Sequence, residues 1–191
     1  MKCRRIAALV LLGSIVGGSL ASTIPTVAAE SSTDKVHVEL NGQAISDGGV
    51  MVDGRAYVSV RDLQEALQAF VYWDAANKKI SIQKPNIHML MFQDKATFGK
   101  VKTGKTAFSV LVQVDSLKTQ VDAIKLTIID PNGKSSEIQQ SDIDTKQDNF
   151  WFRSSDFKYD FKAKGEYTVN CYLRQKNGEF TLLSKKTIEA V

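Results

Sequence analysis

The chain has 191 residues, with 25 Lys and Arg against 21 Asp and Glu, only two His and two Cys, and a formal charge of +4. That length suffices for one domain or two small ones. So slight a charge excess gives a nucleic-acid partner little electrostatic support, and two histidines leave a zinc site short of ligands.

Residues 1–29 read as a leader. Lys2, Arg4 and Arg5 form a basic start, Ile6 to Leu20 an apolar core, and Val27-Ala28-Ala29 the small residues a signal peptidase needs, so cleavage is expected before Glu30. The core is about 15 residues, short of the roughly 20 that span a bilayer. Cys3 precedes the core, so it is not an acylation site. No later stretch is long and apolar enough for stable membrane insertion after cleavage. Three basic residues leave with the leader, so the exported chain carries 22 against 21 acidic ones, a charge of +1. Cys171 alone remains, and no intramolecular disulfide can form. The expected location is secreted, extracellular or cell-wall associated.

After a short linker (30–35), a small domain is predicted over 36–85. Val36, Val38 and Leu40 alternate with polar residues, and Asn41-Gly42 and Asp53-Gly54 supply the positive φ angles of two-residue hairpin turns. Ser59, with Asp62 three residues on, signals a helix start at which both side chains satisfy free N–H groups. Val60, Leu63, Leu67 and Phe70 then fall on one helical face. Ile80 and Ile82 alternate as in a half-buried strand. The predicted architecture is an α+β small domain, a curled antiparallel sheet crossed by one helix. At some 50 residues it is near the lower limit of independent stability. It is therefore expected to dock on the following module or to self-associate.

Three stretches, Asp53–Leu63 (DGRAYVSVRDL), Val71–Asp74 (VYWD) and Lys78–Ile80 (KKI), together resemble the family named after the N-terminal domain of copper amine oxidases. The resemblance spans about residues 36–85. It implies an accessory "stalk" domain of the kind that recurs in secreted proteins of Gram-positive bacteria. Two positions depart from the family pattern: Ser59 stands where Pro is common, and Gln68 where Gly commonly ends the helix. Ser is a good N-cap; the Gln removes the residue best suited to a left-handed C-cap. The three-histidine copper site of a true amine oxidase cannot be built from His37 and His88. The resemblance therefore implies the accessory domain without the oxidase, no copper and no other cofactor.

Residues 86–96 (NIHMLMFQDKA) are too apolar for a free linker. They read as a connecting strand packed between two domains, or as a Met-rich contact surface centred on Met89 and Met91.

From 97 to 191 the pattern is all-β. Phe108 to Val114, Ile124 to Ile128 and Tyr167 to Leu173 alternate, and turn signals stand at Asp130–Gly133, Lys164-Gly165 and Asn177-Gly178. About seven short strands predict an immunoglobulin-like sandwich, and Gly165–Val169 is similar to the tyrosine corner of such domains. Gly99 to Thr106 (GKVKTGKT) fits the phosphate-loop expression letter for letter. A helix must follow such a loop, and here an alternating strand follows, so ATP is not an expected ligand. Asp142, Asp144 and Asp148 loosely suggest calcium, but Lys146 occupies a ligand position and no turn Gly follows. Cys171 sits on an inward strand face as filler. In Asn149–Phe152, Phe150 and Phe152 share the core face and Trp151 faces out.

No catalytic constellation is present. The expected function is a non-catalytic binding or spacer protein of the cell envelope. It would contact wall polymer or another envelope protein through Tyr72, Trp73, Trp151, Met89 and Met91. A regulatory or inhibitory partner of a secreted enzyme is the alternative. A carboxylate-only hydrolase, which leaves no local trace in sequence, is the third.

Overall fold

The computed structural model describes residues 34–40, 42–45, 48–144, 148–176 and 178–191. The leader and its cleavage site, and the readings placed on Asn41, Lys146 and Asn177, lie outside the described residues. The described chain falls in one compact unit. It is mostly β-strand in several sheets, with a single helix among the described residues.

Strand β1 (Lys35–Val36) pairs with β4 (Gly49–Val52), which pairs with β5 (Arg55–Val58) through the Asp53-Gly54 turn. Both turn residues have positive φ, 49° and 71°, as the two-residue hairpin requires. Between β1 and β4 lies the short hairpin of β2 (Glu39–Leu40) and β3 (Gln43–Ala44). Helix α1 (Val60–Leu67) follows, then a separate hairpin of β6 (Phe70–Asp74) and β7 (Lys79–Gln83). In place of the expected curled sheet, the described residues form three separate pieces of sheet, with no ladder among them joining the three.

The helix differs from its expected form at both ends. Ser59 is the N-cap by backbone conformation, but its side chain makes no capping bond. Gln68 adopts the left-handed conformation (φ 52°, ψ 55°). Its N–H reaches the Glu65 carbonyl at 3.2 Å and the Ala69 N–H reaches that of Gln64 at 3.2 Å, the two bonds of a Schellman ending. Because the helix stops there, Phe70 leaves the helical face and opens β6, where it is buried.

From Asn86 the chain builds two larger sheets. One has the order β14 (Phe150–Arg153), β11 (Gly104–Asp115), β8 (Asn86–Gln93) and β9 (Ala96–Phe98), with β15 (Phe157–Phe161) also on β11. The other runs β10 (Lys100–Val101), β17 (Phe180–Ala190), β16 (Gly165–Gln175), β12 (Val121–Ile129) and β13 (Ser135–Asp142). Residues 86–96, read as a connector, are therefore mainly the paired strand β8, antiparallel to β11 from Asn86 to Phe92.

One buried cluster is shared by both sheets: Met89, Phe108, Val110 and Val112 on one side, Ile124, Leu126, Cys171 and Leu173 on the other. The period-two alternation puts these side chains inside, and each fully buried aliphatic contributes roughly 1.5–3 kcal/mol relative to exposure. Phe70 belongs to this cluster, so the N-terminal region docks on the larger one. Two polar contacts accompany it, Tyr72 Oη to Thr119 Oγ1 at 3.2 Å and Lys185 Nζ to Glu65 Oε1 at 3.3 Å. No described helix is long and apolar enough to cross a membrane.

Candidate functional site

The surface positions that could meet a ligand are fixed by which face of each strand turns outward. In the β6–β7 hairpin, Phe70 and Tyr72 face the larger module, so Val71, Trp73, Ile80 and Ile82 face the other way. Register pairs Val71 with Ile82 and Trp73 with Ile80. Ile80 and Ile82, expected to be half-buried, are consequently exposed, and Trp73 is 60 % exposed. Val71, Trp73 and Ile80, with the edge of Tyr72 at one side, line a groove of about 430 Å³ together with Ser59, Val60, Arg61, Asp62 and Gln64. The hairpin side is apolar and aromatic while the helix side mixes Val60 with the polar Ser59, Arg61, Asp62 and Gln64, a pairing suited to a ligand with a flat apolar face and hydroxyl edges.

At the tip of this hairpin Asn77 donates to Asp74, from its side chain at 2.7 Å and its backbone at 3.1 Å. These bonds hold the Asp74 carboxyl below the usual carboxylate range.

Trp151 lies on the outer face of the other candidate surface and is 64 % exposed. It stands opposite Gln113, and Gln113 stands opposite His88, so one row across three strands reads Trp151–Gln113–His88. The next row reads Arg153–Leu111–Leu90. The Arg153 guanidinium lies 5.1 Å from the Phe92 ring and 3.3 Å from Ser109 Oγ, which fixes it along the sheet. Gln113 Nε2 donates to Asp115 Oδ2 at 2.9 Å. Such an array offers one large aromatic face flanked by fixed hydrogen-bonding groups. Gln113, His88, Leu90 and Arg153 were not singled out as contacts from the sequence. Their alternation was legible; the cross-strand register that lines them up with Trp151 was not.

Met89 and Met91 require a correction. They are 5 % and 2 % exposed and part of the shared core, so they are not surface contacts. On a strand the neighbours of an outward residue must point inward, and in β8 it is His88 and Leu90 that face out. The structure does not bring Trp73 and Trp151 into a common groove: they lie on the β6–β7 hairpin and on β14, in separate sheets.

The phosphate-loop lookalike forms β10, a short turn and the start of β11, with no helix to present N–H groups to a phosphate. Asp142 lies 3.5 Å from the Arg174 guanidinium, which also meets Asp122 at 2.7 Å. Among the described residues no three His, Cys, Asp or Glu side chains converge as metal ligands. Cys171 is fully buried, and burial pushes its thiol up to about 12.

Residues 39–123 match the family described as copper amine oxidase N-terminal domain. The match starts in β2 and ends in β12, so it runs past the resemblance read over 36–85 and takes in β8 to β11. It is to the N-terminal, non-catalytic domain of that enzyme type. No curated protein matches the chain.

Proposed function

We propose that this is a secreted, non-catalytic spacer protein of a Gram-positive cell envelope, in which a stalk-type domain is followed by an immunoglobulin-like sandwich, and that it contacts wall polymer. The observation that carries the reading is Trp151, open on a sheet face beside Gln113, His88 and Arg153. A large exposed aromatic costs hydration and contributes nothing to this core, whereas it stacks well on a sugar ring. The groove beside Trp73 adds a second surface of the same chemistry. The match to a non-catalytic N-terminal domain supports the spacer part. The two sheets around one core, with the Tyr167 hydroxyl bonded back to Ala163, support the immunoglobulin-like part.

The test is co-sedimentation with isolated Gram-positive sacculi, comparing the exported chain with Trp73→Ala and Trp151→Ala. Saturable binding that one substitution weakens is the expected result. No binding at tens of micromolar, with both variants folded, would sink the reading.

A further inference from the structure

The larger module is electrically lopsided along its strands. Register places the start of β11, the end of β15, the start of β16 and the ends of β10 and β17 together. Gly104 lies opposite Phe161, Gly165 opposite Ala190, and Val101 also opposite Ala190. That end carries Lys102, Lys105, Lys158, Lys162 and Lys164, all exposed. None of the five forms an ion pair among the described residues. The acidic groups nearby are few and partly engaged. Glu189 is held by Lys100 at 2.7 Å, and Asp130 Oδ1 accepts the backbone N–H groups of Asn132 and Lys134. Asp160 and Glu166 remain, and exposed Asp156 stands two residues before Lys158. The opposite end carries Asp115, Asp122, Asp142, Asp144, Asp148 and Glu179 beside Lys118, Arg174 and Lys176; there Arg174 pairs with Asp122 and Asp142, and Lys118 with Asp148, so its acidic excess is smaller and largely paired.

Between the lysines the surface is concave. A hollow of about 440 Å³ is lined by Lys105, Thr106, Ala107, Lys158, Tyr159 and Asp160. Lys105 and Lys158 stand on its two strands as diagonal neighbours, because Lys105 lies opposite Asp160 and Ala107 opposite Lys158. Asp160, opposite Lys105 in the same hollow, offsets part of the repulsion between these two lysines, and a bound anion relieves the positive excess that remains. The charges are all lysine, point-like and mobile, with no arginine fork to read a planar carboxylate. A surface of this kind suits charge repeated along a chain. None of the exposed aromatic side chains lies at this end to anchor it in a bilayer.

We propose that this end binds a linear polyanion carrying repeated phosphates, laid along the hollow between Lys105 and Lys158 and met by Lys102, Lys162 and Lys164. The surface is separate from Trp73 and Trp151, so the assay uses a soluble polymer that lacks sugar rings, and its failure leaves the aromatic reading standing.

The experiment measures binding of the full chain to long-chain inorganic polyphosphate across a salt series. Polygalacturonate and phosphatidylglycerol vesicles serve as comparison arms. Expected is binding to polyphosphate that weakens as salt rises. The Lys158→Gln/Lys162→Gln/Lys164→Gln variant should lower the salt slope by roughly three and the affinity by about tenfold or more. Asp160→Asn should tighten binding, and Lys78→Gln/Lys79→Gln on the β6–β7 hairpin should leave it unchanged. The proposal is overturned by no binding at low salt, or by equal loss in the hairpin variant. Equal affinity for polygalacturonate, or binding to vesicles without binding to polyphosphate, overturns it as well.

Discussion

The Tyr167 hydroxyl closes a two-way link with Ala163: it donates to the Ala163 carbonyl at 2.9 Å and accepts from the Ala163 N–H at 3.1 Å. The ring is buried against Phe161, centroids 4.9 Å apart at 71°, so the link ties the turn before β16 to the core. Tyr167→Phe keeps the ring and strands both backbone groups. The expected loss is about 1–2 kcal/mol, read as a lower denaturation midpoint with unchanged slope. An unchanged midpoint would mean that water replaces the hydroxyl fully.

Gln68 holds a left-handed conformation that a side chain with a Cβ disfavours by roughly 1–2 kcal/mol. Gln68→Gly removes that strain and gives back part of it through the freer unfolded chain. A net gain of up to about 1 kcal/mol is expected, seen as a higher melting temperature. A decrease would show that the Gln side chain supports the helix end in another way.

Ser154 sits where β11 changes partner from β14 to β15. Its N–H donates to the Val110 carbonyl at 2.9 Å, and its Oγ accepts the Val110 N–H at 2.9 Å while donating to the Ser155 carbonyl at 2.9 Å. The side chain thus supplies a ladder bond at the changeover. Ser154→Ala leaves the buried Val110 N–H without a partner, for a loss of about 1–3 kcal/mol. Amide exchange at Val110 should speed up more than at Val112; equal rates would argue that the strand relaxes to recover the bond.

Cys171 should be silent toward alkylating reagents in the folded chain at neutral pH and react fully once unfolded, since burial holds the thiol neutral. The folded value is raised above the ordinary 9.0. Its contribution to stability is therefore whole below about pH 9 and lost as pH rises toward about 12. Alkylation of native protein at neutral pH, at the rate of a free thiol, would contradict the buried placement.

Local chemistry settled much of this protein from sequence alone. The Asp53-Gly54 turn, the helix start after Ser59, the alternation in β11, β12 and β16, the inward Cys171 and the outward Trp151 all follow from backbone sterics and a period of two. These are effects of a few neighbouring residues. The long-range pairings lay beyond it. Residues 86–96 have the composition of a strand whether they link modules or join a sheet, and only their ladder with β11 decides that Met89 and Met91 point into the core. The β6–β7 hairpin has apolar residues on both faces, so alternation cannot choose between them. Docking of Phe70 into the shared core and of Tyr72 against Thr119 makes that choice and leaves Trp73, Ile80 and Ile82 outside. Likewise, no local rule gathers lysines from 102, 105, 158, 162 and 164: strand order brings them to one end. Burial is a property of the whole packed chain, and it is burial that separates a core residue from a contact.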